Sequence, residues 1–296
     1  MKAKLLLLLL LTVGYFNSDG QTFYNFRRNR NLIVTVGSGI AAYKGEMVNP
    51  GEFGKIKANI VLGTEYFFAD RFSARGELTY FRISGDDSNA NSDRVERNLS
   101  FFSDNIELSF TGTVNMIPVG TRFYQRPKFN LFAFGGVGLL YMNPKTTYDG
   151  KTYALQPLMT ENVKYSRIQP VIPVGIGIKY MVNPFINVLV EGGYRITFTD
   201  YLDDVSSKRY TNPVLLKSDL ARALADRRQE RIDNVGGDQS APAWNKGVRG
   251  NPDSNDGYFL INVKIQYYLP YEIFQDNSRK LLNKKRKYYY RRPKGQ

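Results

Sequence analysis

Apolar and polar positions alternate with a period of two along most of this chain. From residue 56 to 68, Ile56, Ala58, Ile60, Leu62, Tyr66 and Phe68 fall on one side, and Lys57, Asn59, Gly63 and Glu65 on the other. Successive side chains of a strand point to opposite faces, so the segment reads as a strand with one apolar and one polar surface. The pattern returns at Phe72–Tyr80, where Ser73, Arg75, Glu77 and Thr79 form the polar side. It returns again at Ile106–Met116, with Glu107 on the polar side, and at Ile186–Phe198, with Glu191 and Arg195. A last example is Phe259–Leu269, with Asn262, Lys264 and Gln266. Three further strands are expected at about 32–43, 129–142 and 167–181; these are apolar or glycine-rich on both sides, which leaves their orientation open.

Eight strands result, and the segments between them alternate in length. Asp70, residues 117–128 and Val182–Pro184 make short connections; 44–53, 84–100, 143–166 and 200–256 make long ones. Short and long connections at opposite ends describe an eight-stranded antiparallel up-and-down barrel with both termini on the short-turn side. In outer-membrane barrels that side is the periplasm. Expected strands of about 11–16 residues exceed the 9–11 tilted residues that span a bilayer. Aromatics near strand ends, at Tyr66–Phe68, Phe72, Tyr80–Phe81, Phe101–Phe102 and Tyr267–Tyr268, fit interfacial girdles. A soluble barrel with its apolar faces turned inward has the same alternation; strand length, loop asymmetry, the girdles and an export signal together favour the transmembrane form.

That signal is the N-terminus. Lys2 and Lys4 precede the run Leu5–Val13, which contains seven leucines, and Ser18-Asp19-Gly20 supplies small residues before Gln21. The run is too short for a helical span and suits a signal peptide over 1–20. Residues 21–270 are then the barrel and 271–296 a tail.

Composition narrows the chemistry. Among 296 residues there is neither cysteine nor histidine, which excludes disulfides, zinc fingers, thiol nucleophiles and histidine-dependent triads. The net charge is +14, and half of it lies in the tail, where nine basic side chains face two acids. The expectation is a protein without catalytic residues or cofactor. An eight-stranded barrel has an interior that side chains fill. Its inward faces supply Lys57, Glu65, Arg75, Glu77, Glu107, Lys179, Glu191, Arg195 and Lys264, a set suited to an ion-pair network that plugs the lumen.

Other features carry weaker signals. Asp200, Asp203 and Asp204 cluster where the seventh strand ends. They suggest calcium or carboxylate catalysis, against a loop-anchoring turn, and no complete calcium-loop spacing is present. Gly135-Gly136-Val137-Gly138 and Gly175-Ile176-Gly177 echo phosphate loops, but they lie within strands and no helix follows them. In the long loop, Asn212-Pro213 opens an expected helix continuing through Leu216, Leu220, Ala223, Leu224 and Arg227 to about Ile232. Lys284, Lys285, Arg286, Lys287, Arg291 and Arg292 of the tail, with Arg122 and Arg126 of a short-side turn, are candidate partner contacts. Stacked between phosphate-binding cations, Tyr288–Tyr290 would suit nucleic acid, which is scarce in the periplasm; no nucleic-acid partner is expected.

Two segments resemble a known family. Thr199-Asp200-Tyr201-Leu202-Asp203-Asp204-Val205-Ser206, and Arg249-Gly250-Asn251-Pro252 with Asn255-Asp256 and Tyr258-Phe259, are similar to signatures of PorG-type outer-membrane barrels of Bacteroidetes. Phe132–Gly138 and Ile172–Gly177 fit as well, and the similarity spans about 25–270. The resemblance implies a non-catalytic outer-membrane component of the type IX secretion system. Its expected partners are outer-membrane lipid and a periplasmic ring lipoprotein with associated secretion proteins, and it is linked to gliding motility. The alternative is an orphan surface-binding barrel using loop 200–256. The basic tail is not part of the family pattern.

Overall fold

The computed structural model describes residues 30–49, 54–89, 95–119, 126–235 and 246–269. The expected signal peptide, the basic tail and Arg122 lie outside the described residues. The described residues hold ten strands: β1 (Leu32–Lys44), β2 (Lys57–Phe67), β3 (Phe72–Asp86), β4 (Ser100–Asn115), β5 (Phe129–Tyr141), β6 (Pro144–Tyr148), β7 (Lys151–Ala154), β8 (Ile168–Asn183), β9 (Ile186–Thr197) and β10 (Gly257–Tyr268). Eight of them form a closed antiparallel barrel in the order β1-β2-β3-β4-β5-β8-β9-β10, each beside its neighbour in the chain. β10 returns to β1 along the whole ladder from Ile33–Tyr268 to Lys44–Gly257. Closure leaves no unpaired sheet edge through the barrel wall, which a strand structure in lipid requires.

The wall is polar inside and apolar outside. Outward residues such as Phe110, Val137 and Ile176 are 60 %, 64 % and 71 % exposed, and similar side chains ring all eight strands. Inward residues such as Thr111, Glu191 and Lys264 are buried. A soluble barrel would bury the apolar face; this barrel buries the charged one and leaves a continuous apolar belt for lipid. Among the described residues no helix is long and apolar enough to cross a membrane.

Alternation also corrects the expected girdles. Tyr66, Phe68, Phe72, Tyr80, Phe102 and Tyr267 point outward or lie half-buried, but Phe67, Phe81, Phe101 and Tyr268 are buried inside. Adjacent strand residues cannot share a face, so each aromatic doublet divides between lipid and lumen.

The short connections lie together with the barrel's two chain ends. The Leu269 N–H donates to Leu32 O (2.9 Å), and Arg30 Nη1 donates to Tyr268 O (3.1 Å). At the opposite end the long loops fold back over the mouth. β6 and β7 form a hairpin, absent from the sequence expectation, that attaches to the top of β4. The expected single helix is three pieces: a 3-10 turn at Pro213–Leu215, α1 (Asp219–Ala225) and α2 (Arg228–Val235). Ser218 caps α1, its hydroxyl accepting from the Ala221 N–H (3.1 Å). The chain breaks at Asp226-Arg227, and Arg227 turns inward to donate to Ser100 Oγ and Thr146 Oγ1. The buried residues of α1 are Ala221, Leu224 and Ala225, while Ala223 is only half-buried.

The largest apolar core lies at this mouth and not at mid-barrel. Tyr43, Phe81, Ile83, Leu140, Tyr258 and Leu260 from strand tops pack with Leu202, Val205 and Leu224 from the long loop. Phe81 stacks on Tyr258 (4.8 Å), and Tyr43 meets Phe101 edge-on (4.9 Å). This layer explains why the tops of β1, β5 and β8 are apolar on both faces.

Candidate functional site

Mid-barrel, the inward charges form a central cluster with a smaller group toward each end. Lys264 Nζ lies 2.5 Å from carboxylate oxygens of both Glu77 and Glu191. Arg75 pairs with Glu191 at 2.7 Å and approaches Glu77 at 3.7 Å. Toward the short-turn end, Glu65 receives Lys179 at 3.5 Å, Ser73 at 2.6 Å and the Gln266 amide. Toward the mouth, Glu107 takes Arg195 at 3.4 Å and the Tyr258 hydroxyl at 2.6 Å. Four carboxylates face four cations, so the lumen is neutral as a set. Burying charges is costly unless each is paired, and here each of the eight has an ion-pair partner, although Arg75 Nε and Nη2 make no hydrogen bond and that guanidinium lies against aromatic rings instead. The structure thus brings together Glu65, Arg75, Glu77, Glu107, Lys179, Glu191, Arg195 and Lys264. Lys57 is the exception: it stands half-buried at the loop-side rim, above the network.

The glycines of β8 serve this packing. A Cβ on Gly177 would lie 2.4 Å from the Phe132 ring and 2.8 Å from Glu191 Cβ, and one on Gly175 would lie 2.5 Å from the Phe134 ring. Glycine therefore lets both rings lie across the strand, where they carry the Arg75 guanidinium at 5.7 and 4.8 Å. Close ring approach is what these glycines provide.

Above the mouth core lies a second polar network, the cap. Asp203 accepts from the Tyr43 hydroxyl (2.7 Å) and the Val205 N–H (2.9 Å); Asp256 accepts from Tyr43 (2.9 Å) and the Leu202 N–H (3.1 Å). Asp204, at φ +69°, turns the other way to Tyr165 (2.6 Å) and Thr160. Arg249, fully enclosed, pairs with Glu161 and donates to Ala225 O (3.1 Å), Asp204 O (3.3 Å) and Thr160 Oγ1 (3.3 Å). Glu161 also accepts from the Ser206 and Ser207 N–H groups. Arg97 clasps Asp87 through two 2.7 Å bonds and reaches Arg249 O and Glu46 O. All four long loops are tied together by these bonds.

Burial sets the electrostatics here. Desolvation, aided by the Asp203 charge, pushes Glu46 up to about 8. Burial lifts Asp200 and Asp203 to about 7 and Asp204 to about 6, against the pull of their hydrogen bonds. Asp256 rises well above the usual carboxylate range for the same reason, with Asp203 next in effect. Asp203 and Asp204 have diverging partners, and among the described residues no set of three or more acidic side chains converges as metal ligands would. Asp203 and Asp204 tie the loop to the barrel mouth, the arrangement a loop-anchoring turn has. Arg126 is likewise used internally, donating to Pro184 O (2.6 Å) with its guanidinium 3.6 Å from the Tyr268 ring. It is buried under the short-turn end rather than presented outward.

Inside-out polarity, closure and span length all describe a membrane barrel, and the family profile described as "Outer membrane protein beta-barrel domain" matches residues 5–212. The chain belongs to this outer-membrane barrel family. Its match ends before β10, the strand that closes the family's barrel in this chain. Among solved structures, the chain is similar to Neisserial surface protein A of Neisseria, with a TM-score of 0.41, 8% identity, and coverage of 80% of this chain and 97% of that one. It is similar to a major outer membrane protein of Thermus thermophilus (TM-score 0.39, 12% identity, 80% and 98% covered). It is also similar to the attachment invasion locus protein of Yersinia pestis (0.36, 11%, 81% and 99%). No curated protein matches the chain.

Sequence reasoning missed Glu46, Asp87, Arg97 and Glu161. None belongs to a recognisable spacing, because each meets its partner across separate loops. Arg249 was visible only as part of a segment resembling the PorG-type signature.

Proposed function

We propose that this outer-membrane barrel acts as a non-enzymatic anchor for a protein-export assembly of the type IX kind. The observation that carries the reading is the neutral ion-pair plug, since a barrel filled from Glu65 to Glu107 works through its ends and not through its lumen. The resemblance to PorG-type barrels adds to it. Thr199–Ser206 and Arg249–Pro252, the segments of that resemblance, supply the residues that knit the cap. A signature made of cap-building residues fits a protein that presents a preformed surface. Contact with a periplasmic ring lipoprotein would use the short-turn side: residues 116–128, Arg122, and the tail cations Lys284, Lys285, Arg286, Lys287, Arg291 and Arg292.

The test is affinity purification of the full tagged chain from mildly solubilised outer membrane, beside a chain lacking 271–296. Near-stoichiometric recovery of a periplasmic lipoprotein, reduced by the deletion, is expected. A barrel recovered alone, from cells that make such a lipoprotein, would sink the anchor reading.

A second reading is a surface-binding barrel. It is favoured by apolar side chains left outward on the cap, with Val214 84 % exposed and Leu215 and Val248 also exposed. Replacing these three with serine should then abolish surface binding while secretion continues.

A further inference from the structure

The lipid-facing side of the loop-end rim holds a cationic groove. The β2–β3 ladder stops at Asn59–Phe81, while β3 and β4 remain paired up to Asp86–Ser100. The start of β2 therefore parts from the top of β3, leaving a groove of about 280 Å³. Lys55, Lys57, Arg82, Phe102 and Thr147 line it, with Lys145 on the adjoining hairpin. Two acids answer these four cations. Lys55 pairs with Asp86 at 3.0 Å, and Asp104 is shared between Arg82 at 2.5 Å and Lys145 at 3.4 Å. Lys57 has no ion pair among the described residues, and the described charges of the groove sum to an excess of two positive.

Position gives the charge its meaning. On β3 and β4, Arg82 and Asp104 each follow one outward step after Tyr80 and Ile106, the last exposed apolar side chains of the belt on those strands. One outward step is about 6.6 Å of strand. On its Arg82 side the groove therefore faces the bilayer plane just above the hydrocarbon, while Lys57, Ser84 and Thr146 line the side toward the cap. Arg82 is fixed there by Asp104 and by the Phe102 ring at 5.3 Å. Long loops mark the extracellular end of an outer-membrane barrel, so this rim meets the outer leaflet. A ligand arriving within that leaflet presents acyl chains to Tyr80 and Ile106 and its headgroup to the cations. Phosphate suits them best, having several acceptor oxygens for ammonium and guanidinium donors at once.

We propose that the groove formed by Lys55, Lys57, Arg82 and Lys145 binds the phosphorylated headgroup of an outer-leaflet glycolipid. Phosphate would take over part of the bonding now made by Asp86 and Asp104, and would link the first long loop, the top of β3 and the β6–β7 hairpin at one point.

The experiment uses the mature full-length barrel in mild detergent, with native mass spectrometry as readout. Bisphosphorylated lipid A is compared with its dephosphorylated form carrying the same acyl chains, each with and without millimolar inorganic phosphate. The expected result is a preference of about tenfold for the phosphorylated lipid, lost in the Lys57→Gln/Arg82→Gln/Lys145→Gln variant. The conservative Lys57→Arg/Lys145→Arg variant should keep the preference, which guards against a simple folding failure. Equal binding of the two lipids would overturn the proposal, as would an unaltered preference in the glutamine variant. Displacement of the lipid by inorganic phosphate would assign the groove to free phosphate and overturn it equally.

Discussion

At the scale of single residues, the account rests on charges that are buried only because they are paired. Lys264 is fully enclosed and touches both Glu77 and Glu191. Lys264→Met removes the cation and strands two carboxylates, so a loss of about 3–5 kcal/mol is expected from urea unfolding in bilayers. Restoring balance with Glu77→Gln in the same chain should recover part of it. Most lumen residues were legible in the sequence because period-two alternation assigns them inward; Lys179 sits on a strand whose two faces are too alike for the pattern to orient it. Lys57 obeys the same parity, yet it lies at the rim, where β2 leaves its partner; parity predicts direction and not depth. The cap carboxylates behave oppositely to ordinary acids. With Glu46 at about 8, Asp200 and Asp203 at about 7 and Asp204 at about 6, the folded cap holds protons that the opened loops release. Stability therefore falls as pH rises from about 4, where exposed carboxyls titrate, through these raised values. The guanidinium groups of Arg97 and Arg249 oppose but do not cancel this. Amide exchange of loop residues, corrected for intrinsic rate, should be slower at pH 5.5 than at pH 8.5, whereas strand amides should not change. Faster cap opening at the lower pH would refute the assignment.

Among the elements, the strands were readable and the loops were not, for a physical reason. A strand's pattern comes from its own two faces, but a loop element is stabilised by whatever it meets. The two helices have seven and eight residues, too short to persist alone. They depend on Ser218, on the burial of Ala221, Leu224 and Ala225, and on Arg249 bonding the Ala225 carbonyl. The even spacing of Leu216, Leu220 and Leu224 suggested one helix, and the inward insertion of Arg227 breaks it. The β6–β7 hairpin did have a signal. Asp149-Gly150, flanked by Thr and Tyr, takes φ of +48° and +70°, as a two-residue hairpin turn of inverted type requires. Arg249→Ala should release the cap selectively, because it unties Glu161, Thr160, Asp204 and α1 together. Limited proteolysis is expected to cut within 200–256 at least about tenfold faster, a local loss of a kcal/mol or more, while the barrel keeps its heat-modifiable mobility on gels.

For the whole molecule, a belt of outward apolar side chains and an interior whose charges offset one another describe a transmembrane barrel filled from Glu65 to Glu107. Reconstituted into planar bilayers, the chain should give no steady conductance above the bare membrane. Alternation in the sequence left a soluble barrel open; the exposure of Ile176 and the burial of Lys264 close that alternative. Since the chain contains no cysteine, every engineered cysteine is a unique label. The most direct test is a single-cysteine nitroxide scan of β10 from Ile261 to Tyr267 in lipid bilayers. It reads collisions with dissolved oxygen, which favours lipid, and with a water-soluble nickel chelate. The account predicts high oxygen access at 261, 263, 265 and 267, and low access to both reagents at 262, 264 and 266, where side chains meet the plug. High nickel access at 262, 264 and 266 would mean an open aqueous lumen, and oxygen access without alternation would contradict the inside-out barrel itself.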